Sequence, residues 1–160
     1  MAGTDKNART QLLESLKGGG AHLTFDKAIA KLPPSLRGAK PPGQPHTPWR
    51  LLEHIRIAQW DILEFIRNPK HKSPKWPDEY WPNGDGPPRP RDWANSIKNY
   101  HADAKAMQKL VADPAADLFA PLPHGEGQTL FREAMLVVDH TAYHLGQLVM
   151  VRRMLGAWKG

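Results

Sequence analysis

The chain predicts an all-α fold, a four-helix bundle with a split first helix and a long lid loop rich in proline and aromatic residues. Three observations carry that reading. Apolar residues recur with helical spacing, no segment shows the apolar-polar alternation of a half-buried strand, and the prolines and glycines gather in the breaks between periodic segments.

Leu12, Leu13 and Leu16 predict a short helix over residues 5–17, ended by Gly18-Gly19-Gly20. A second short helix is expected from the N-cap Thr24 to about Lys31, where Pro33-Pro34 stops it. These two pieces form the split first helix. Residues 33–46 read as a proline- and glycine-rich connection. The next helix opens on Thr47 as N-cap with Pro48 in the first turn, and runs to Arg67 before Asn68-Pro69. Its stripe is Leu51, Ile55, Ala58, Ile62 and Phe65.

Residues 69–92 hold seven prolines, which excludes a regular element. Trp76, Tyr80 and Trp81 in the same stretch favour a packed lid over a disordered linker. A further helix is predicted from Arg91 or Asp92 to Ala112, with Trp93, Ile97, Tyr100, Ala104, Met107 and Val111 on one face. After a loop over 114–127, the last helix runs from Gln128 or Thr129 to Leu155, with Gly156 as its stop.

A chain of 160 residues with 40% apolar content suits one domain, taken as 1–160. No apolar run approaches the roughly 20 residues of a membrane span. The first 17 residues lack a secretory h-region, so a cytoplasmic protein is expected. There is no cysteine. Disulfides, thiolate ligands and a cysteine nucleophile are excluded, and any metal must be held through nitrogen or oxygen. The net charge of +6 comes from dispersed basic residues. No nucleic-acid motif accompanies it, and a solvated basic surface is the simpler reading. Arg152 and Arg153 sit where cations favour the helix dipole.

The chemistry centres on the histidines. His140 and His144 stand four residues apart in the last helix, one turn apart on one face, where two imidazoles can share an ion. At about 100° per residue, both flank the apolar stripe, and His54 flanks the stripe of its own helix. Two facing helices can therefore bring three imidazoles together. The alternative is three half-buried histidines bonded to carbonyls. His101 could approach the site but reads more readily as a surface residue. His22, His46, His71 and His124 fall in loops. Glu133 and Asp61 lie two turns from the candidate ligands on the same flanks. Each could accept a hydrogen bond from a ligating histidine, or be exposed, which is the reading favoured for Glu133.

Two segments carry a family resemblance: Thr47-Pro48-Trp49-Arg50-Leu51-Leu52-Glu53-His54, and Asp139-His140-Thr141-Ala142-Tyr143-His144-Leu145-Gly146-Gln147. One histidine in the second helix, then H-x-x-x-H with a following glycine-glutamine pair in the fourth, resembles the DinB-like superfamily of small helical bundles, over about residues 8–158. The resemblance implies that His54, His140 and His144 bind a divalent ion, zinc or nickel. It also implies a frequent homodimer, and relatives that include transferases using a low-molecular-weight thiol.

Three neutral imidazoles would leave open positions on the ion. Those positions suit an external thiol, whose pKa coordination lowers, and equally a water molecule in a metal-dependent hydrolase. A non-enzymatic stress or binding protein with a structural metal is the third possibility. The expected partners are a small-molecule substrate and a second copy of the chain, with no nucleic acid and no membrane. Trp49 and Trp60 lie opposite the stripe of their helix. They mark either a dimer surface or a face that the loops cover. Ordinary imidazoles would lose the ion below about pH 6.

Overall fold

The computed structural model describes residues 2–158. Five helices carry the fold: α1 (Ala2–Lys17), α2 (Phe25–Ile29), α3 (Pro48–Arg67), α4 (Asp92–Ala112) and α5 (Leu130–Met154). Among the described residues there is no strand, and one isolated bridge joins Pro121 to Thr129. The structure is the all-α bundle that the periodicity predicts.

Local chemistry sets the helix starts. The Thr24, Thr47 and Thr129 hydroxyls accept hydrogen bonds from the Lys27, Arg50 and Arg132 amides, satisfying N–H groups that a helix leaves unpaired. α4 has no side-chain cap. There the Asp92 carboxylate accepts from the Arg89 amide and its guanidinium, at 3.0 Å each. Gly18 and Gly19 end α1 with φ of 69° and 87°, a region that costs glycine little.

α3 is the centre of the bundle, packed between α4 and α5, while α1 bridges α4 and α5 and α2 leans on α5. Leu51, Leu52, Ile55 and Leu63 are completely buried, each contributing about 1.5–3 kcal/mol. The core has two lobes. One gathers Trp49, Leu51, Leu52, Ile55, Trp93 and Leu148 around α2. The other gathers Ile62, Leu63, Met107, Val111 and Ala134 under α1.

Trp49 is not an outward residue. It is 4% exposed, lies 6.4 Å from the Trp93 ring, and its amide donates to the Arg37 carbonyl at 2.8 Å. Trp60 is half-buried and meets the edge of His71. The 33–46 connection and the lid therefore occupy the face that the helix alone leaves open. These two segments cross backbone to backbone at Gly38 and Gly86, where a Cβ on Gly38 would come within 2.9 Å of the Gly86 Cα.

Candidate metal centre

α3 and α5 pack along their length, and this contact brings the three predicted histidines together. His54 and His144 are buried and His140 is half-buried. One ligand atom from each lies within 4.8 Å of the others. The His54 Nε2 is 3.1 Å from the His144 Nε2 and 3.1 Å from the His140 Nε2.

The second nitrogens of two rings decide what these atoms are. His54 Nδ1 lies 2.9 Å from the Tyr80 carbonyl. A carbonyl only accepts, so Nδ1 carries the hydrogen and Nε2 is a lone pair. His144 Nδ1 lies 2.8 Å from the Gln147 Oε1; with the amide oxygen turned toward the ring, Nδ1 donates and its Nε2 is a lone pair. His140 can donate one hydrogen to His54. The facing pair of His54 and His144 remains two acceptors at 3.1 Å, an arrangement that calls for a positive charge between them. Two nitrogens on one tetrahedral zinc ion stand about 3.3 Å apart, given bond lengths of about 2.0–2.1 Å. The donor set and its spacing therefore fit a metal ion. No fourth His, Asp or Glu atom joins the cluster among the described residues.

Burial favours the neutral form of the three imidazoles. It pushes His54 down to about 4, against the opposing bond to Tyr80 and with help from His144 and His46. It pushes His140 down to about 3, with His144 and His54 adding to the effect. His144 is also lowered by burial, which its bond to Gln147 opposes. Protons therefore compete for these nitrogens at lower pH than ordinary imidazoles allow. We expect the fall in affinity for a zinc probe to set in at lower pH than the roughly pH 6 of ordinary imidazoles, with His54 and His140 taking up protons only at about pH 4 and 3. A competition titration across that range checks it. The apo fold is sensitive in the same direction but from a higher pH. Unfolded imidazoles near 6.5 take up protons while the folded ones stay neutral, so stability falls from about pH 6.5 and the loss is complete once pH has passed through about 4 and 3.

The lid roofs the site. Trp81 stacks on His54 with ring centroids 3.8 Å apart, and also on His46 at 3.9 Å. Asp61 clamps this roof to α3, accepting from the Tyr80 hydroxyl and from His71 Nε2 at 2.7 Å. Asp61 is thus buried and reaches His54 only through the lid. Glu133 is 3% exposed, contrary to the exposed reading, and its carboxylate meets the Arg132 guanidinium, not a histidine. His101 pairs with Asp26 at an exposed site, and His124 Nε2 donates to the Phe65 carbonyl at 2.6 Å. Neither joins the cluster.

Sequence reasoning left Gln147 without a role. Its signal was its position three residues after His144, which places the two side chains on one helix face. Gln147→Leu is expected to weaken zinc affinity about 10- to 100-fold while helix content stays unchanged. Equal affinity in the variant, by the same titration, would remove Gln147 from the site. Trp81 and the Tyr80 carbonyl had no sequence signal beyond the aromatic content of the lid.

A family model described as the DinB superfamily matches residues 22–148, a stretch that includes all three histidines. No curated protein and no solved structure matches the chain.

Proposed function

The chain belongs to the DinB superfamily, and from that premise we propose a divalent-metal protein, with zinc or nickel held by His54, His140 and His144. The observation that carries this reading is the pair of facing lone pairs on His54 and His144. Imidazole suits both metals. We propose further that the protein is a cytoplasmic enzyme of the thiol-dependent transferase type. A bound ion would supply Lewis acidity and an open coordination position for an external thiol. The absence of cysteine is consistent with this, because the chain offers no thiol of its own to compete. His54 and His144 are fixed by Tyr80 and Gln147, so the chain's role is to present three oriented neutral nitrogens in a largely dry setting. Half-buried His140, with exposed Tyr143 beside His144, is the side from which a substrate would approach.

One observation favours a second reading, a metal that only stabilises the bundle. Trp81 covers His54, and His54 and His144 are buried. Screening the metal-loaded protein with low-molecular-weight thiols and electrophiles, then with esters and amides, separates the readings. Thiol transfer that disappears in His144→Ala supports the transferase. Hydrolysis alone supports the bound-water alternative. No turnover, with a melting temperature that depends on metal, supports the structural ion.

We also propose a homodimer. Tyr143, Met150 and Met154 are exposed on one side of α5, and they supply the apolar face that Trp49 does not. Sedimentation showing a stable monomer near 18.0 kDa would count against it.

A further inference from the structure

On the flank of α5 away from His140 and His144, a half-enclosed cavity of about 260 Å³ opens between α1, α2, α4 and α5. Leu16, Phe25, Val137 and Leu145 give it apolar walls, and Gln59, Tyr100 and Thr141 supply polar groups from three different helices. Gln59 is the informative residue. It is 2% exposed in a helix whose other buried polar side chains already have partners or a place in the histidine cluster. Its amide donates to the Tyr100 carbonyl at 2.8 Å. A glutamine amide can make further bonds through its oxygen and its second N–H, and Gln59 lines the cavity, where a ligand could take them.

We propose that this cavity is a second binding site, for a small uncharged aromatic molecule carrying one hydrogen-bonding group, of the phenol or indole type. The size fits, since a cavity of about 150 Å³ already accepts benzene. The stacked rings of Phe25 and Tyr100, with centroids 3.6 Å apart, form one side, and the lining mixes apolar with polar groups. The charge pattern favours an uncharged ligand in the buried end. Charged groups stand at the mouth, where Asp26 and His101 are paired at 2.9 Å and Lys17 is exposed, while the buried polar groups Gln59, Tyr100 and Thr141 offer no countercharge, so an ion seated among them would lose its hydration without replacement. A neutral ring satisfies the walls, and a single hydroxyl or N–H satisfies the Gln59 amide. Such pockets, apolar with a few convergent polar groups, are where small ligands are held. The site stands independently of the histidine centre.

The test titrates the intact protein with phenol, indole, toluene and benzoate, following backbone amide shifts by NMR. Phenol or indole should shift the amides of Gln59, Tyr100 and Thr141. Toluene should bind about tenfold more weakly for want of the hydrogen bond, and benzoate should not bind. Ala104→Leu, which adds bulk at the cavity wall, should abolish the shifts, and Gln59→Leu should remove the preference for phenol over toluene. Chelator-treated protein should bind the probes as well as untreated protein, so failure of the metal reading would leave this result untouched. Absence of binding by both phenol and indole would overturn the proposal. So would binding that survives Ala104→Leu, or benzoate binding as strongly as phenol.

Discussion

Replacing Arg152 with alanine is expected to destabilise the fold by about 3–4 kcal/mol, lowering the melting temperature by about 10 °C for a chain of this size. Arg152 is 4% exposed and has no carboxylate partner among the described residues. Its guanidinium donates to the carbonyls of Ala28 and Ala30 at the end of α2, and to the Ala157 carbonyl at 3.0 Å. It also lies 4.8 Å over the Trp158 ring. One side chain thus ties α2, the end of α5 and the C-terminal segment together. Burial lowers its pKa from the ordinary value, yet a guanidinium stays charged. Its removal leaves three carbonyls short of a donor. Arg152→Lys should recover little, because a single ammonium cannot match the planar fork that reaches all three. Thermal melts of the two variants check this, and a loss below about 1 kcal/mol would mean that α2 is not docked as described.

Zinc or nickel added to chelator-treated protein is expected to raise the melting temperature by about 10 °C when the free ion exceeds its Kd by a thousandfold. The arithmetic is that of any ligand that binds the folded state alone, about 4 kcal/mol at that ratio, at about 2–4 °C per kcal/mol. Relief of the facing lone pairs of His54 and His144 is one of the contributions contained in that Kd. The increase should vanish in His54→Ala and His144→Ala. An increase of the same size in those variants would place the ion elsewhere.

The long helices were legible because their signals are local. Thr47-Pro48 starts α3 and Asn68-Pro69 stops it, and the structure puts its bounds at Pro48–Arg67. The histidine cluster was legible for the same reason: a four-residue spacing in one helix and a flanking residue in its neighbour fix which faces meet. The misreadings came from contacts distant in sequence. Trp49 looked outward because the helical wheel carries no information about the 33–46 connection that covers it. Glu133 looked like an exposed first-turn acid, but the tertiary fold buries it. Arg152 looked like a cation answering its own helix dipole. It instead answers the carbonyls of α2, more than 120 residues away in sequence. The lid was recognised as packed, but its bond from the Tyr80 carbonyl to His54 depends on irregular backbone that no periodicity encodes.

The central claim is the metal site, and metal content per chain tests it most directly. Untagged wild-type protein and the His54→Ala, His140→Ala and His144→Ala variants are purified identically, loaded with zinc or nickel, desalted and analysed by elemental mass spectrometry. The wild type should retain about one ion per chain, and each variant should lose most of it, beyond the roughly 10- to 100-fold weakening that follows loss of a ligand's hydrogen-bond partner. Equal metal in all four proteins, or a wild type that cannot be loaded, would contradict the account and leave the three histidines as core-edge residues.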